Sequence, residues 1–297
     1  MKMYEWMVKP TPQREWIERR GILLWLAFFF IELGAGTFFI ATFFDNLWAM
    51  FIGWLICGVL GGGIHILYLG HPMRFWRMLL RPQTSWISRG LAFVSLFLAL
   101  GGIHMLLIEF GSGSSVALMA AADLFAFLTI VYGGFAMNYV NGIPLWNSAL
   151  LPVLYGVSGI WGGAGVAMGI ALSTGAVSTV GVSLEEWIRL LLIAYAVLLF
   201  VYLVSVRYTN VTGKIAVRGI VAGRFWPVMW LVVVVLGLVF PIATVVASYL
   251  NGIENMPSTV LYLSILCELI GDLTMRYLIL KQGVYAPLVP SSASAGA

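Results

Sequence analysis

Three ionisable residues stand four positions apart near the end of the chain: Glu268, Asp272 and Arg276. On an α-helix this spacing places the three side chains along one stripe. The segment 258–280 that carries them is otherwise largely apolar, so the stripe must face the interior of a helix bundle rather than lipid. Two interpretations are open, and both can hold at once: a structural ion pair between Asp272 and Arg276, or a functional role for these side chains.

Other ionisable residues lie singly within apolar segments, where each costs about 2.5–3.5 kcal/mol of insertion free energy. They lie at several depths of the expected bundle. This distribution is what a path that carries protons across the bundle needs. The alternative is a set of unrelated structural pairs. The candidate proton-path residues are Glu32, His104, Asp123 and Glu268, with His65 and Asp272 nearer one face.

The amino-acid composition indicates whether water or lipid surrounds this protein. Of the 297 residues 61% are hydrophobic and 9% are charged, whereas a water-soluble domain has about 25% charged residues. The bilayer must therefore surround most of the chain. The net charge is only +4 and the basic residues flank apolar runs, which excludes a nucleic-acid binder.

Eight segments reach the roughly 20 apolar residues that a membrane-spanning helix needs. The predicted fold class is all-α: a polytopic integral membrane protein, in which a single domain over residues 1–297 forms an eight-transmembrane-helix bundle. Pairs of small residues such as Gly159 and Gly163 predict close packing between helices. The expected spans are 22–44, 47–69, 91–109, 116–140, 146–172, 187–206, 228–249 and 258–280.

The distribution of Lys and Arg predicts the orientation. With eight spans both termini lie on one side of the membrane, and that side receives 15 of the 16 basic residues, all except Arg189. The positive-inside rule therefore places both termini in the cytoplasm, with the chain in the cell membrane. The first twenty residues are polar and charged and the first span is long, so no cleavable signal peptide is expected.

No redox centre is visible in the sequence. His65 and His104 are expected near opposite membrane faces and therefore cannot ligate one haem iron. Cys57 and Cys267 are far apart in apolar segments, so they form neither an iron–sulfur ligand set nor a disulfide framework. Any electrons must pass between a diffusible carrier and a partner subunit.

Several short motifs, in their order and spacing, resemble the polysulfide reductase membrane-subunit family, also called NrfD-like. The resemblance covers nearly the whole chain and fits the count of eight spans. The motifs lie at 69–76 with 84–90, at 132–134 with 144–147 and 151–152, and at 268–272 with 276–277 and 283–285.

The resemblance implies a quinone-binding membrane anchor, the non-catalytic subunit of a quinol-dependent molybdopterin oxidoreductase. Such an anchor exchanges electrons with a ferredoxin-like four-cluster iron–sulfur subunit, which is joined to the molybdopterin catalytic subunit. Menaquinone is the expected quinone, and no haem or iron–sulfur cluster is expected in this chain. By motif the tyrosine that contacts the quinone head group is Tyr132. Asp272, Arg276 and His65 are expected beside it, to accept a proton, to hold the carboxylate ionised and to shuttle protons.

The chain departs from the family pattern in its first helix and in the connection that follows the second. His71 replaces the usual Arg after Leu-Gly, and Glu32 occupies a position that is usually small or apolar. A first-helix histidine that ligates quinone in one branch of the family has no counterpart, which leaves the second hydrogen-bond partner open. Many relatives carry the catalytic subunits on the outer face, whereas charge places the Tyr132 side in the cytoplasm. Either the partners dock inside or the charge rule fails in this family.

The connection between the second and third spans is rich in arginine, which favours a docking surface for an acidic partner over a gate. The expected docking residues are Arg74, Arg77, Arg81 and Arg89. An ion or small-solute transporter is the alternative function, since it also carries buried carboxylates and glycine-interrupted helices. A purely structural anchor is the third possibility. Neither the terminal substrate nor the direction of electron flow follows from this sequence.

Overall fold

The computed structural model describes residues 5–111, 113, 115–175 and 182–289. Seven helices in this part are long and apolar enough to cross a membrane, which confirms the all-α, multi-pass membrane class. They are α1 (Gly21–Phe43), α2 (Leu47–Tyr68), α3 (Trp86–Glu109), α4 (Val116–Asn138), α5 (Leu150–Thr174), α6 (Val182–Thr209) and α8 (Val228–Asn251). The shorter α7 (Val211–Val221) lies between α6 and α8, α9 (Ser258–Lys281) follows α8, and a turn of helix (Glu5–Val8) precedes α1.

Several helices begin where capping and packing place them, not where the apolar run begins. α3 starts at Trp86 rather than at 91, because the Ser85 side chain accepts a hydrogen bond from the backbone N–H of Ser88. α5 starts at Leu150 rather than at 146, since Trp146 lies in a buried turn and its indole N–H donates to the carbonyl of Ile279 at 2.8 Å.

The two ends of the described chain meet at one side of the bundle, here called the terminal face. Strand β1 (Thr11–Pro12) pairs antiparallel with β2 (Val284–Tyr285), and Lys281 forms an ion pair with Glu18 at 2.7 Å. This pairing requires an even number of crossings, which supports α9 as an eighth span; that span stays a prediction. Lys2, which contributes to the charge tally, and the tail 290–297 lie outside the described residues.

Helix α1 runs through the middle of the bundle and contacts α2, α4, α5 and α9. Its Gly36 lies against the backbone of Gly159 and Gly163 in α5, so closely that a Cβ atom at Gly36 or Gly163 would overlap the opposite backbone. Gly237 of α8 and Gly271 of α9 make a similar contact. Small residues thus let α1 touch α5, and α8 touch α9, through their backbones.

Four segments of the described chain depart from regular α-helix. The middle of α2 is a π-helix over Ile56–Gly62, a widened turn that often occurs at functional sites. The connection from α2 to α3 contains a 3-10 helix over Pro72–Leu80. A further π-helical segment, Val228–Val239, forms the first half of α8, and a short 3-10 turn, Ile253–Asn255, precedes α9.

Candidate functional site

A buried ionic cluster lies at the crossing of α1, α5 and α9. Arg276 donates from Nε to Asp272 Oδ2 at 2.8 Å, from Nη1 to Glu32 Oε2, and from Nη2 to Ser158 Oγ at 2.5 Å. All four side chains are buried. These four residues are called the Arg276 cluster below. The guanidinium contacts two carboxyl groups from different helices, so the cluster joins α1 to α9.

Aromatic residues enclose this cluster. The guanidinium carbon of Arg276 lies 4.4 Å from the centre of the Tyr155 ring, and the hydroxyl of Tyr195 donates to Asp272 Oδ1 at 3.2 Å. The ring of Trp161 packs on Tyr195 with a centroid distance of 4.9 Å. These groups separate the cluster from lipid, which strengthens its electrostatic interactions.

A cavity of about 190 Å³ opens near the terminal face, between α1, α2, α3, α4 and the Pro72–Leu80 segment. Its wall is largely apolar and includes Phe75 and Met78 from that segment. The π-helical turn of α2 contributes Gly58 and Gly62. The polar side chains in its lining are those of Tyr132, His65 and Ser95, and the space is called the Tyr132 cavity below.

Tyr132 and His65 are held in the cavity wall by aromatic packing. The ring of Phe28 lies 5.7 Å from Tyr132 and 6.2 Å from His65, measured between ring centres. Nδ1 of His65 is buried and makes no hydrogen bond to any described residue. The Tyr132 ring lies against Gly90, where a Cβ atom would overlap it. The cavity therefore combines a hydroxyl donor, an unsatisfied imidazole nitrogen and apolar walls.

Glu32 connects the cavity wall to the Arg276 cluster. Its Oε2 accepts from Arg276, while its Oε1 is buried without a hydrogen-bond partner among the described residues. That second oxygen lies against Gly133, the neighbour of Tyr132, at the place a Cβ atom would occupy. One carboxyl group thus stands between the two parts of the candidate site.

The four residues predicted to surround one quinone head group lie in two different places in the structure. Tyr132 and His65 line the same cavity, whereas Asp272 and Arg276 lie in the neighbouring cluster. Sequence reasoning missed Ser158 and Tyr155. The signal that could have found them is their spacing of three in an otherwise glycine-rich apolar helix, which places both on one face.

The other candidate proton-path residues lie apart from one another. Asp123 accepts hydrogen bonds from the Thr42 hydroxyl at 3.0 and 3.1 Å, and His104 is buried in α3. Glu268 is buried in α9, with its Oε1 against Gly165 and without a hydrogen-bond partner in the described part of the chain. Only Glu32 of the four belongs directly to the Arg276 cluster.

The four expected docking arginines differ in their surroundings. Arg74, Arg77 and Arg81 are exposed on or directly after the Pro72–Leu80 segment. Arg89 instead donates to the carbonyls of Pro82 and Gln83, both at 2.7 Å, and lies over the ring of Trp86 at 4.7 Å. Arg89 therefore shapes the loop, and three arginines remain available to a partner.

Within the described ranges no group of three or more His, Cys, Asp or Glu side chains is placed to hold a metal ion. Cys57 and Cys267 are free thiols. Residues 20–287 match the family model described as polysulphide reductase, NrfD. The match includes every long helix, the Tyr132 cavity and the Arg276 cluster. None of the curated proteins compared with this chain matches it.

Proposed function

Because this chain belongs to the polysulphide reductase NrfD family, whose members are membrane subunits of oxidoreductase complexes, we propose that it binds a quinone and exchanges electrons with a partner subunit. The observation that carries this proposal is the Tyr132 cavity, where the polar side chains of Tyr132, His65 and Ser95 line an otherwise apolar pocket. Menaquinone is the proposed quinone. A ferredoxin-like iron–sulfur subunit with four clusters and a molybdopterin catalytic subunit are the proposed partners.

The cavity suits a quinone head group by size and by lining. Its volume of about 190 Å³ is below the roughly 300–1,000 Å³ of pockets that enclose a whole drug-sized ligand. Such a space holds a ring while an isoprenoid tail stays in lipid. The unsatisfied Nδ1 of His65 and the Tyr132 hydroxyl offer hydrogen bonds to a ring's carbonyl or hydroxyl oxygens.

A bound quinone supplies two-electron, two-proton redox chemistry. Tyr132 donates a hydrogen bond that orients the head group, and His65 accepts a proton or hydrogen bond at Nδ1. Oε1 of Glu32 lies against Gly133, the neighbour of Tyr132, and would receive protons, while Arg276 keeps the other oxygen in place. Asp272 and Ser158 fix the guanidinium so that the Glu32 carboxyl group keeps its position.

Docking next to the cavity would give the electrons a short path. Phe75 and Met78 of the Pro72–Leu80 segment line the cavity, and Arg74 and Arg77 of the same segment are exposed. If an acidic partner binds these arginines, only the Pro72–Leu80 helix separates it from the quinone site. The same segment therefore serves as a cavity wall and as a docking surface.

Proton movement across the bundle is the second part of the proposal. Glu32 belongs to the Arg276 cluster, and Glu268 lies one turn before Asp272 in α9. Asp123 is instead hydrogen-bonded to Thr42, and His104 is buried in α3. An ion or small-solute transporter is the alternative, favoured by Glu268, whose Oε1 has no hydrogen-bond partner among the described residues. The cavity beside Tyr132, the family and the exposed arginines support the redox function instead.

The direct test is to purify the native assembly and identify its subunits and extracted quinone by mass spectrometry. A photoreactive quinone analogue should also label residues that line the Tyr132 cavity. We expect a copurified iron–sulfur subunit, stoichiometric quinone and label confined to the cavity peptides. An assembly with neither quinone nor any redox partner would contradict the proposal.

A further inference from the structure

A second, smaller cavity lies between α5, α6, α8 and α9, near the side of the bundle opposite to the terminal face. Its volume is about 40 Å³, enough for roughly two to four water molecules. Hydroxyl and carboxyl groups supply the hydrogen bonds that such waters need. The polar lining residues are Glu185, Thr244, Ser248, Ser264 and Glu268, and the space is called the Glu268 cavity.

The inner end of this cavity is a buried carboxyl group without a partner. Glu268 is only 2% exposed, and its Oε1 makes no hydrogen bond to a described residue. The indole N–H of Trp161 lies beside the carboxyl group without a hydrogen bond of normal geometry. A buried carboxyl group with no cation in contact is stable only when it is hydrated or carries a proton.

The outer end of the cavity lies at Glu185, which is largely buried. This residue lies in the first turn of α6, and its side chain is 12% exposed. Its Oε1 accepts a hydrogen bond from Ser248 at 3.1 Å and lies 3.6 Å from Nη1 of Arg189. Glu185 therefore presents one carboxyl group to the opposite face and to the cavity at once.

We propose that the Glu268 cavity is a water-filled entrance through which protons from the face opposite to the Tyr132 cavity reach Glu268. Each proton passes as a hydrated ion from Glu185 along the hydroxyl-lined cavity and binds the Glu268 carboxylate, so no bond other than O–H changes. Glu185 is a positioning and relay group at the mouth, and Glu268 is the acceptor.

The charges around Glu268 favour this role over a fixed ion pair. On its own helix Asp272 follows one turn later and already pairs with Arg276, so Arg276 is fully engaged. From α6, Glu185 and its partner Arg189 face the outer end of the cavity. From α8 the cavity receives the hydroxyls of Thr244 and Ser248, and from α5 the Trp161 indole lies beside the carboxyl group.

The use of these protons rests on the proposed function, because quinone chemistry at the Tyr132 cavity would consume or release them. Glu268 and Asp272 are one helical turn apart, so their side chains share one face. The cluster then continues through Arg276 to Glu32. The entrance itself is a property of this chain and can be measured without quinone or partner.

The test follows exchange of the Glu268 carboxyl proton with deuterium by infrared spectroscopy of the full chain in lipid nanodiscs. The C=O band of the protonated carboxyl group is assigned by its loss in Glu268→Gln. Ser264→Val narrows the cavity without touching either carboxyl group. Ser95→Val is the matched control, since Ser95 lines the Tyr132 cavity.

We expect rapid exchange in the unmodified chain and a rate about tenfold or more lower in Ser264→Val, because exchange then requires local opening. Ser95→Val should exchange at the original rate. If Ser264→Val does not fold, Thr244→Val removes a cavity hydroxyl at nearly constant volume and should slow exchange in the same direction.

Three results would overturn the entrance: no protonated carboxyl band assignable to Glu268, unchanged exchange in a folded Ser264→Val, or equal slowing in Ser95→Val. None of these depends on quinone. Conversely, normal exchange, together with a native assembly that contains neither quinone nor a redox partner, would contradict the proposed function and leave the entrance intact.

Discussion

The guanidinium of Arg276 and the carboxyl group of Glu32 are in contact across 244 residues of sequence. The second carboxyl oxygen of Glu32 lies against Gly133, beside Tyr132. One ion pair therefore links the last long helix to the wall of the proposed quinone cavity. A change at either residue should alter both the stability of the bundle and the chemistry at Tyr132.

Arg276→Met should destabilise the protein strongly. The substitution leaves Glu32 and Asp272 buried without their shared cation, which costs about 3–5 kcal/mol when a buried pair is broken. Reversible unfolding in mixed micelles measures the loss. Arg218→Met, at an exposed position of α7, is the control and should change stability by less than about 0.5 kcal/mol. Equal losses in both variants would show that the cluster contributes no special stability.

Tyr132→Phe should slow quinol oxidation in the assembled complex about two- to tenfold, since it removes one hydrogen bond worth about 0.5–1.5 kcal/mol. The ring and its packing on Phe28 and Gly90 are retained, so assembly should be normal. Stopped-flow oxidation of a quinol by the complex measures the rate. Tyr139→Phe, exposed at the end of the same helix, is the matched control. Unchanged turnover in Tyr132→Phe would remove that hydroxyl from the site.

Gly133→Ala should impair function more than stability. Its Cβ atom would occupy the position of Glu32 Oε1, which is the end of a flexible side chain and can move away. We therefore expect several-fold slower quinol turnover with a small change in melting temperature. Gly63→Ala is the control, because a Cβ atom there meets no other atom within 4 Å. A normal rate in Gly133→Ala would mean that the position of the Glu32 carboxyl group does not matter.

Reversal of charge at Arg74, Arg77 and Arg81 should weaken binding of the partner subunit. The triple substitution to Glu replaces attraction by repulsion at an exposed surface, and the effect should shrink at high ionic strength. Association of the separately purified subunits at several salt concentrations provides the measurement. The control is the double variant Lys214→Glu and Arg218→Glu, which reverses charge on α7. If only this second variant loses binding, the docking surface lies on α7.

The two faces of the bundle should differ in their access to an impermeant thiol reagent added outside intact cells. Glu254→Cys lies in the connection between α8 and α9, whereas Val289→Cys lies beyond the paired strands at the terminal face. The positive-inside rule predicts label on Glu254→Cys alone. Label on Val289→Cys alone would reverse the orientation and place partner docking outside.

The sequence was sufficient for those features that depend on local pattern. The length of the apolar segments predicted the long helices, and the spacing of four residues predicted the contact between Asp272 and Arg276. The contact between Arg276 and Glu32 could not be predicted, because it depends on how two distant helices pack. Helix starts were missed for a similar reason: Ser85 begins α3 through a side-chain hydrogen bond that apolar length does not detect.

The direct backbone contact of Gly36 with Gly163 has a consequence for how the protein works. Alternating-access carriers expose a central site to each side in turn by rocking one group of helices against another. Here such rocking would break an interface in which neither backbone has room for even a methyl group. We therefore expect α1 and α5 to stay together during turnover, so that the protons of the proposed function travel along hydrogen bonds. The turnover rate of the protein should therefore depend on the hydration of the bundle and on the mass of the hydrogen isotope. It should not depend on the mechanical properties of the bilayer.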